Sequence, residues 1–268
     1  MATTPESPPE PVHASAEVQA DSAHRSRLSR WVGNFALGGA ILAVVIAAVS
    51  LTLARYGIIG KLPGFIGFMM LLNPLRALAV IALIGIVIAA LRKTGIGWRS
   101  PVALAVSLAM LAVIYTQVII PGGKAPRLHD ITTNVDDPPQ FVSLPLRPDN
   151  LIPFDNIEEW RAAHRQGYPD LGPVIINKSP REVLAEARAL AESKGWDVVS
   201  VDEAAGHMEA VAYAGYIRFM DNVIVEVTPI ADGSTRVDMR STSRVGLSDI
   251  GYNAKRIREF LSELQAQG

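Results

Sequence analysis

The sequence predicts an α+β soluble domain attached to an α-helical membrane segment of three transmembrane helices. Three observations carry this fold class. The charges are sorted: residues 31–120 hold six basic and no acidic side chains, whereas residues 121–268 hold 16 basic and 22 acidic. Ninety residues without a carboxylate are foreign to a water-exposed surface, so the near-zero net charge of −1 conceals two chemically different halves. The acid-free block contains three long apolar runs. Beyond residue 178 the pattern becomes an amphipathic helix, four β-rich runs split by turn residues, and a second amphipathic helix.

Residues 1–30 are rich in Pro, Ala, Ser and Glu and hold few large apolar side chains. Such a stretch cannot bury enough surface to offset its ordering entropy, and a disordered tail is expected. Residues 31–54 carry no charge; at about 1.5 Å per residue they reach roughly 36 Å, enough for a hydrocarbon core of about 30 Å. The second span is expected over 71–91, with Asn73-Pro74 as N-cap and first helical residue. Arg76 then falls in the first turn, where snorkelling to the interface is the expectation and an anionic partner the alternative. The stretch 63–72, PGFIGFMMLL, is interrupted by proline and glycine; it lies in the interface or lengthens the helix at an angle. The third span covers 101–120, and Pro121-Gly122-Gly123 is expected to end it. Six Lys and Arg flank the spans on the N-terminal side and four or five on the other. This bias predicts a multi-pass protein of a bacterial inner membrane, with a cytoplasmic N-terminus and a periplasmic domain over 121–268.

In that domain, residues 157–165 predict a helix. Ser179-Pro180-Arg181-Glu182 is a capping box opening a second one, which Gly195 closes. Strands are expected over 196–201, 207–213, 223–228 and 235–243, with Asp232-Gly233 as a hairpin turn. The last helix spans about 249–265, capped by Ser248 or Asp249. Short links make the sheet mostly antiparallel with the helices on one face.

The chain has no cysteine, which excludes disulfides and thiolate metal sites. No phosphate loop, HExxH pair, nucleophile elbow or dinucleotide fingerprint occurs, and no cofactor or metal site is expected. The net charge of −6 on the soluble half argues against a nucleic-acid partner.

The run RVDMRSTSRVGLSDIGYNAKRIR, residues 236–258, is the most unusual segment. An extended strand puts Arg236, Asp238, Arg240, Thr242 and Arg244 on one face. Ser241 and Ser243, then Asp249, Asn253 and Arg256 at the following helix, lie close behind. Guanidinium forks, hydroxyls and helix-start amides are the donors an anion needs, so Arg236, Arg240, Ser241, Ser243, Arg244, Asp249, Asn253 and Arg256 are the candidate anion site. The alternative is an internal ion-pair network, with acids of the 130–137 loop among the partners. Residues 129–139 could offer oxygen ligands to a hard cation but lack the spacing of a calcium loop, and a polar loop is the expectation. His207 and Glu209 share a strand face, as an acid–base pair or as a salt bridge.

The elements DDPPQF (136–141), YPD (168–170), Gly195-Trp196 and VDMRSTSRVGLSDIGYNAKRIREF (237–260) resemble the bacterial and plastid family called domain of unknown function 1499. The resemblance covers about 128–264, and the membrane helices are similar to those of some bacterial members. It implies a defined unit around 236–256 and assigns no reaction. The sequence therefore points to a membrane-anchored binding or assembly module. Its partners would be the lipid bilayer and an anionic small molecule, a lipid headgroup or another envelope protein. The alternatives are an envelope hydrolase using Asp136, Asp137, Glu209 or Asp249, and a subunit of a membrane complex.

Overall fold

The computed structural model describes the backbone of residues 12–93 and 95–267, and side chains from Arg27 onward. The chain divides into two compact units. The first holds residues up to Ser50 together with Gly67–Ile114; the second holds Leu51–Ile66 and Tyr115–Gly268.

The helices are α1 (Val12–Arg55), α2 (Lys61–Met69), α3 (Leu72–Leu91) and α4 (Arg99–Ile114), followed by a π turn (Tyr115–Ile119) and α5 (Ile120–Lys124). They make three segments long and apolar enough to cross a membrane, Arg27–Arg55, Lys61–Leu91 and Arg99–Lys124. Within the first unit, small residues let these helices approach closely, as membrane helices do. Ala36, Ala82 and Ala103 are fully buried together. A Cβ on Gly39 would meet Leu78 at 2.5 Å, and Gly33 and Gly85 both approach the Ser100 hydroxyl. Large side chains such as Leu42, Val45, Leu83 and Val87 point outward, the arrangement expected where lipid is the solvent.

Three expectations for this region are corrected. The tail expected over 1–30 is helical from Val12. Residues 12–30 are rich in Ala and other helix formers and extend a helix already nucleated by the apolar span; residues 1–11 lie outside the described residues. Asn73 is not an N-cap. Helix α3 begins at Leu72, and Leu71 before it is itself helical with no side-chain cap. The 63–72 stretch thus supplies α2, separated from α3 by the turn at residues 70–71, and lengthens the second span. Arg76 sits just past the first turn of α3 and donates to Asn73 Oδ1 at 3.0 Å. Pro121 does not stop the third span, because the π turn directly before it loosens the helix where proline removes an N–H and crowds a carbonyl.

In the second unit, α6 (Ile157–Gly167), α7 (Pro180–Ser193) and α8 (Tyr252–Ala266) accompany β1 (Asp130–Thr132), β2 (Val174–Ile176), β3 (Asp197–Asp202), β4 (His207–Ala214), β5 (Phe219–Pro229) and β6 (Thr235–Ser243). Among the described residues these strands form one antiparallel sheet of order β1-β6-β5-β4-β3, with β2 also pairing β6. The four longer strands lie close to the predicted runs, although β5 begins at Phe219, four residues before the apolar run expected from 223. Strands β1 and β2, three residues each, are too short to show a period. The capping box at Ser179 and Glu182 forms in full. The Asp232-Gly233 turn closes with Ile230 N–H to Ser234 O at 2.9 Å.

One sheet face carries the core. Met208, Val225 and Met239 pack under Leu184, Ile257 and Leu264 of α7 and α8, and Trp196 stacks on Phe260 at 4.9 Å. The other face is crossed by the irregular segment 139–150, bonded to Glu209, Asn222, Arg240 and Thr242. One end of the sheet meets the ends of α1 and α2. At the β4–β5 turn, Arg55 donates to Tyr216 O at 2.7 Å and Lys61 to Ile217 O at 3.0 Å, and Phe65 meets Phe219 edge-on at 5.9 Å.

His164 of α6 lies fully buried between Trp160 and Tyr168, and its Nε2 accepts the Thr132 N–H at 3.1 Å. Burial holds its pKa down to about 4. The neutral ring is the folded form, so stability is intact above the ordinary pKa of 6.5 and is lost as pH falls toward about 4. Denaturant titrations should show a loss of about 2 kcal/mol between pH 7 and 5 from this group, and His164→Gln should flatten that slope.

Candidate functional site

The structure resolves most of the arginine-rich strand into internal pairs. Arg240 is buried and forks onto Asp130, Nε to Oδ1 at 2.9 Å and Nη2 to Oδ2 at 2.7 Å. Its Nη1 donates to Pro139 O at 3.0 Å, and Phe141 lies against its guanidinium. Arg236 pairs with its own strand neighbour Asp238 at 2.6 Å. Arg256, on α8, pairs with Asp221 at 2.7 Å and donates to Ser241 Oγ at 2.9 Å. Burial pushes the Asp221 carboxyl up, and Arg256 pulls against it. Asn253 joins these groups: it accepts from Ser241 Oγ and donates to Ser243 Oγ and His129 O.

Asp249 caps the last helix from an unexpected distance. The N-cap position is Gly251, in the left-handed region at φ +89°. Asp249 reaches past it, accepting the Gly251 N–H at 2.8 Å and the Asn253 N–H at 2.7 Å. Burial pushes its pKa up to about 6 against those bonds. Arg240, Ser241, Asp249, Asn253 and Arg256 are therefore committed inside the fold, and Arg236, partly exposed, is tied to Asp238. The fold divides the cluster: Arg236 takes Asp238 of its own strand, Arg240 takes Asp130 of β1 and Arg256 takes Asp221 of β5.

Arg244 is different. Its Nε donates to Asn222 Oδ1 at 2.7 Å and its Nη1 meets Met220 Sδ at 3.7 Å. Among the described residues it makes no direct ion pair, although its charge helps hold the nearby Asp221 carboxyl down, and its Nη2 makes no hydrogen bond while not being sealed off. It lines a cavity of about 350 Å3 with Pro145, Leu146, Arg147, Pro148, Asn222, Thr242 and Ser243. Ser243 links this cavity to the Asn253 network. Arg147 brings a second guanidinium, gripped by Asp149 at 2.6 and 2.7 Å and donating to Gly246 O at 2.6 Å. The pairing with Asp149 is local, but the bond that fixes Arg147 in the cavity, to Gly246, spans 99 residues, and a proline-rich irregular stretch has no period to read.

The acids proposed for hydrolysis hold structural places. Glu209 is fully buried and accepts the N–H groups of Val142, Ser143 and Leu144 at 2.5, 2.9 and 2.6 Å, with His207 Nε2 at 2.9 Å. Burial raises its pKa, but His207 and the three amides outweigh burial and hold it below the usual carboxylate value. Asp136 pairs with Arg165, and the Asp137 backbone N–H donates to Asn134 Oδ1, with its carboxylate outside that bond. The polar loop expected over 129–139 is corrected at its start: Asp130–Thr132 form buried strand β1, with Asp130 bound to Arg240, and residues 133–139 are irregular. Among the described residues no group of three or more His, Asp or Glu side chains is placed to hold a metal ion. The lining of the Arg244 cavity contains no acid.

A family model described as protein of unknown function, DUF1499, matches residues 130–264, half of the chain. A comparison with curated proteins finds no match.

Proposed function

The chain belongs to the DUF1499 family, and we propose for it the role of a membrane-anchored binding module whose cavity beside Arg244 takes an anionic group. The observation that carries this reading is the asymmetry among the arginines. Three are each paired directly with a carboxylate, while Arg244 is held in place by a neutral amide and presents an open donor to a cavity whose lining has no acid. A guanidinium in that state is complementary to carboxylate or phosphate. Arg147 and Thr242 also line the cavity, but Arg147 is already held by Asp149 and the Thr242 hydroxyl donates to Asn150, so the anion falls to Arg244.

Arg244→Ala should cost the fold about 1–2 kcal/mol, since it removes one hydrogen bond to a neutral partner and a charge that favours the buried Asp221 carboxylate. It should weaken phosphate or sulfate binding at least tenfold, measured by titration calorimetry on the detergent-solubilised full chain. Unchanged affinity would refute the assignment.

The modest excess of Lys and Arg on the N-terminal side of the spans supports a cytoplasmic N-terminus in a bacterial inner membrane. Three crossings then carry the second unit to the periplasmic side. Alkaline phosphatase fused after Gly268 should be active, and a cytoplasmic reporter at the same position inactive; the opposite pattern overturns this topology.

A further inference from the structure

We propose that the group bound at Arg244 is the phosphate of a bilayer phospholipid, drawn from the leaflet on the domain's side. This rests on the anion-binding reading above and adds the source of the anion. The cavity stands at the end of the sheet that meets the membrane helices. Arg244 follows the last residue of β6, and its backbone N–H donates to Met220 O at the start of β5 at 3.1 Å. One residue earlier, Phe219 packs on Phe65 of the second span. The loop that leaves Arg244 returns to the third span: Ile250 lies against Gly122 of α5, where a Cβ would meet it at 3.2 Å.

Between these two anchors the loop exposes apolar side chains. Val245 is 39% and Leu247 45% exposed, on either side of Gly246, whose carbonyl holds Arg147. Exposed aliphatic residues beside an arginine, within a few residues of two membrane spans, match the headgroup region, where apolar tips enter the acyl boundary and a guanidinium binds phosphate. Pro145, Leu146 and Pro148 give the cavity a wall suited to the glycerol and first acyl carbons behind that phosphate. A soluble anion would use Arg244 without any need for Val245 and Leu247.

The test is thermal unfolding of the full chain in a neutral maltoside detergent, with dihexanoylphosphatidylglycerol or inorganic phosphate added. Wild type, Arg244→Gln and Leu247→Ser are compared, and their midpoints without additive check that each variant folds. The lipid should stabilise wild type saturably and bind at least ten times more tightly than inorganic phosphate. Arg244→Gln should weaken lipid binding at least tenfold. Leu247→Ser should weaken it about fivefold, the value of roughly half a leucine's burial, and leave phosphate binding unchanged. If phosphate binds as tightly as lipid and Leu247→Ser changes neither, the lipid source is wrong and the anion cavity stands. Lipid stabilisation that survives Arg244→Gln, with phosphate binding lost, also overturns the lipid source and leaves the anion cavity standing. If Arg244→Gln alters neither probe, or neither binds, both proposals fall.

Discussion

Arg240→Ala should destabilise the second unit by about 3–5 kcal/mol, the largest effect expected of a single substitution in this domain. The reason is the residue left behind. Asp130 is buried on β1 beneath the 139–150 segment, and the two-pronged contact from Arg240 offsets most of the cost of holding its charge out of water. Asn150 alone would then remain on its carboxylate. The same substitution frees Pro139 O and removes the cation above Phe141, so the covering segment loosens as well. Removing both charges is predicted to be much milder than removing one. Arg240→Met with Asp130→Leu should recover most of the loss, because a buried pair replaced by apolar side chains of similar size is often close to neutral. Denaturant unfolding followed through the fluorescence of Trp160, whose indole donates to Asp130 O, would report both variants. A double variant no more stable than Arg240→Ala would show that the pair does more than neutralise a buried charge.

Glu209→Gln should cost about 2–4 kcal/mol, by turning one of the two acceptor oxygens into a donor aimed at backbone N–H groups. The carboxylate collects amides of three consecutive residues and so pins residues 142–144 to the sheet. Hydrogen exchange at those amides should accelerate more than in the core strands, and limited proteolysis should open the chain between residues 139 and 150. There is also a pH signature. The folded pKa of Glu209 lies below its ordinary value of 4.5, so its contribution is present above about pH 4.5 and disappears as pH falls through the folded value. Loss of stability in Glu209→Gln at neutral pH, shrinking toward wild type in acid, is the expected result. An equal loss at every pH would mean that shape, and not charge, matters at this position.

Legibility differed sharply between the two halves of the problem. The apolar runs could be read because a membrane span needs about 20 uncharged residues in a row, a purely local requirement. The capping box at Ser179–Glu182 and the turn at Asp232-Gly233 could be read for the same reason: each bond closes within a few residues. The failures fall where partners are remote or geometry is graded. Pro121 reads as a stop, yet a π turn one step upstream absorbs it. Asn73-Pro74 reads as a helix start, yet Leu71, in the turn after α2, is already helical and α3 begins at Leu72. Strands β1 and β2 exist because β6 offers an edge to pair with, and neither three-residue piece has a pattern of its own.

The candidate site shows the same division at the scale of single side chains. The residues 236–256 form a concentrated polar unit, and the alternation of the strand determines which of them share a face. From one sequence, Arg236, Arg240, Arg244 and Arg256 are equivalent cations. Their fates were decided by which carboxylate the fold brings within 3 Å: Asp238 by strand neighbourhood, Asp130 across 110 residues, Asp221 across 35. Arg244 receives only an amide because Asn222 stands opposite its strand end. The composition of this protein therefore determined which segments are apolar enough to cross a membrane and which must stay in water, since water and lipid act on each side chain separately. The tertiary structure decided which charge remains available, since neutralisation is a property of pairs, and pairs are made by the fold.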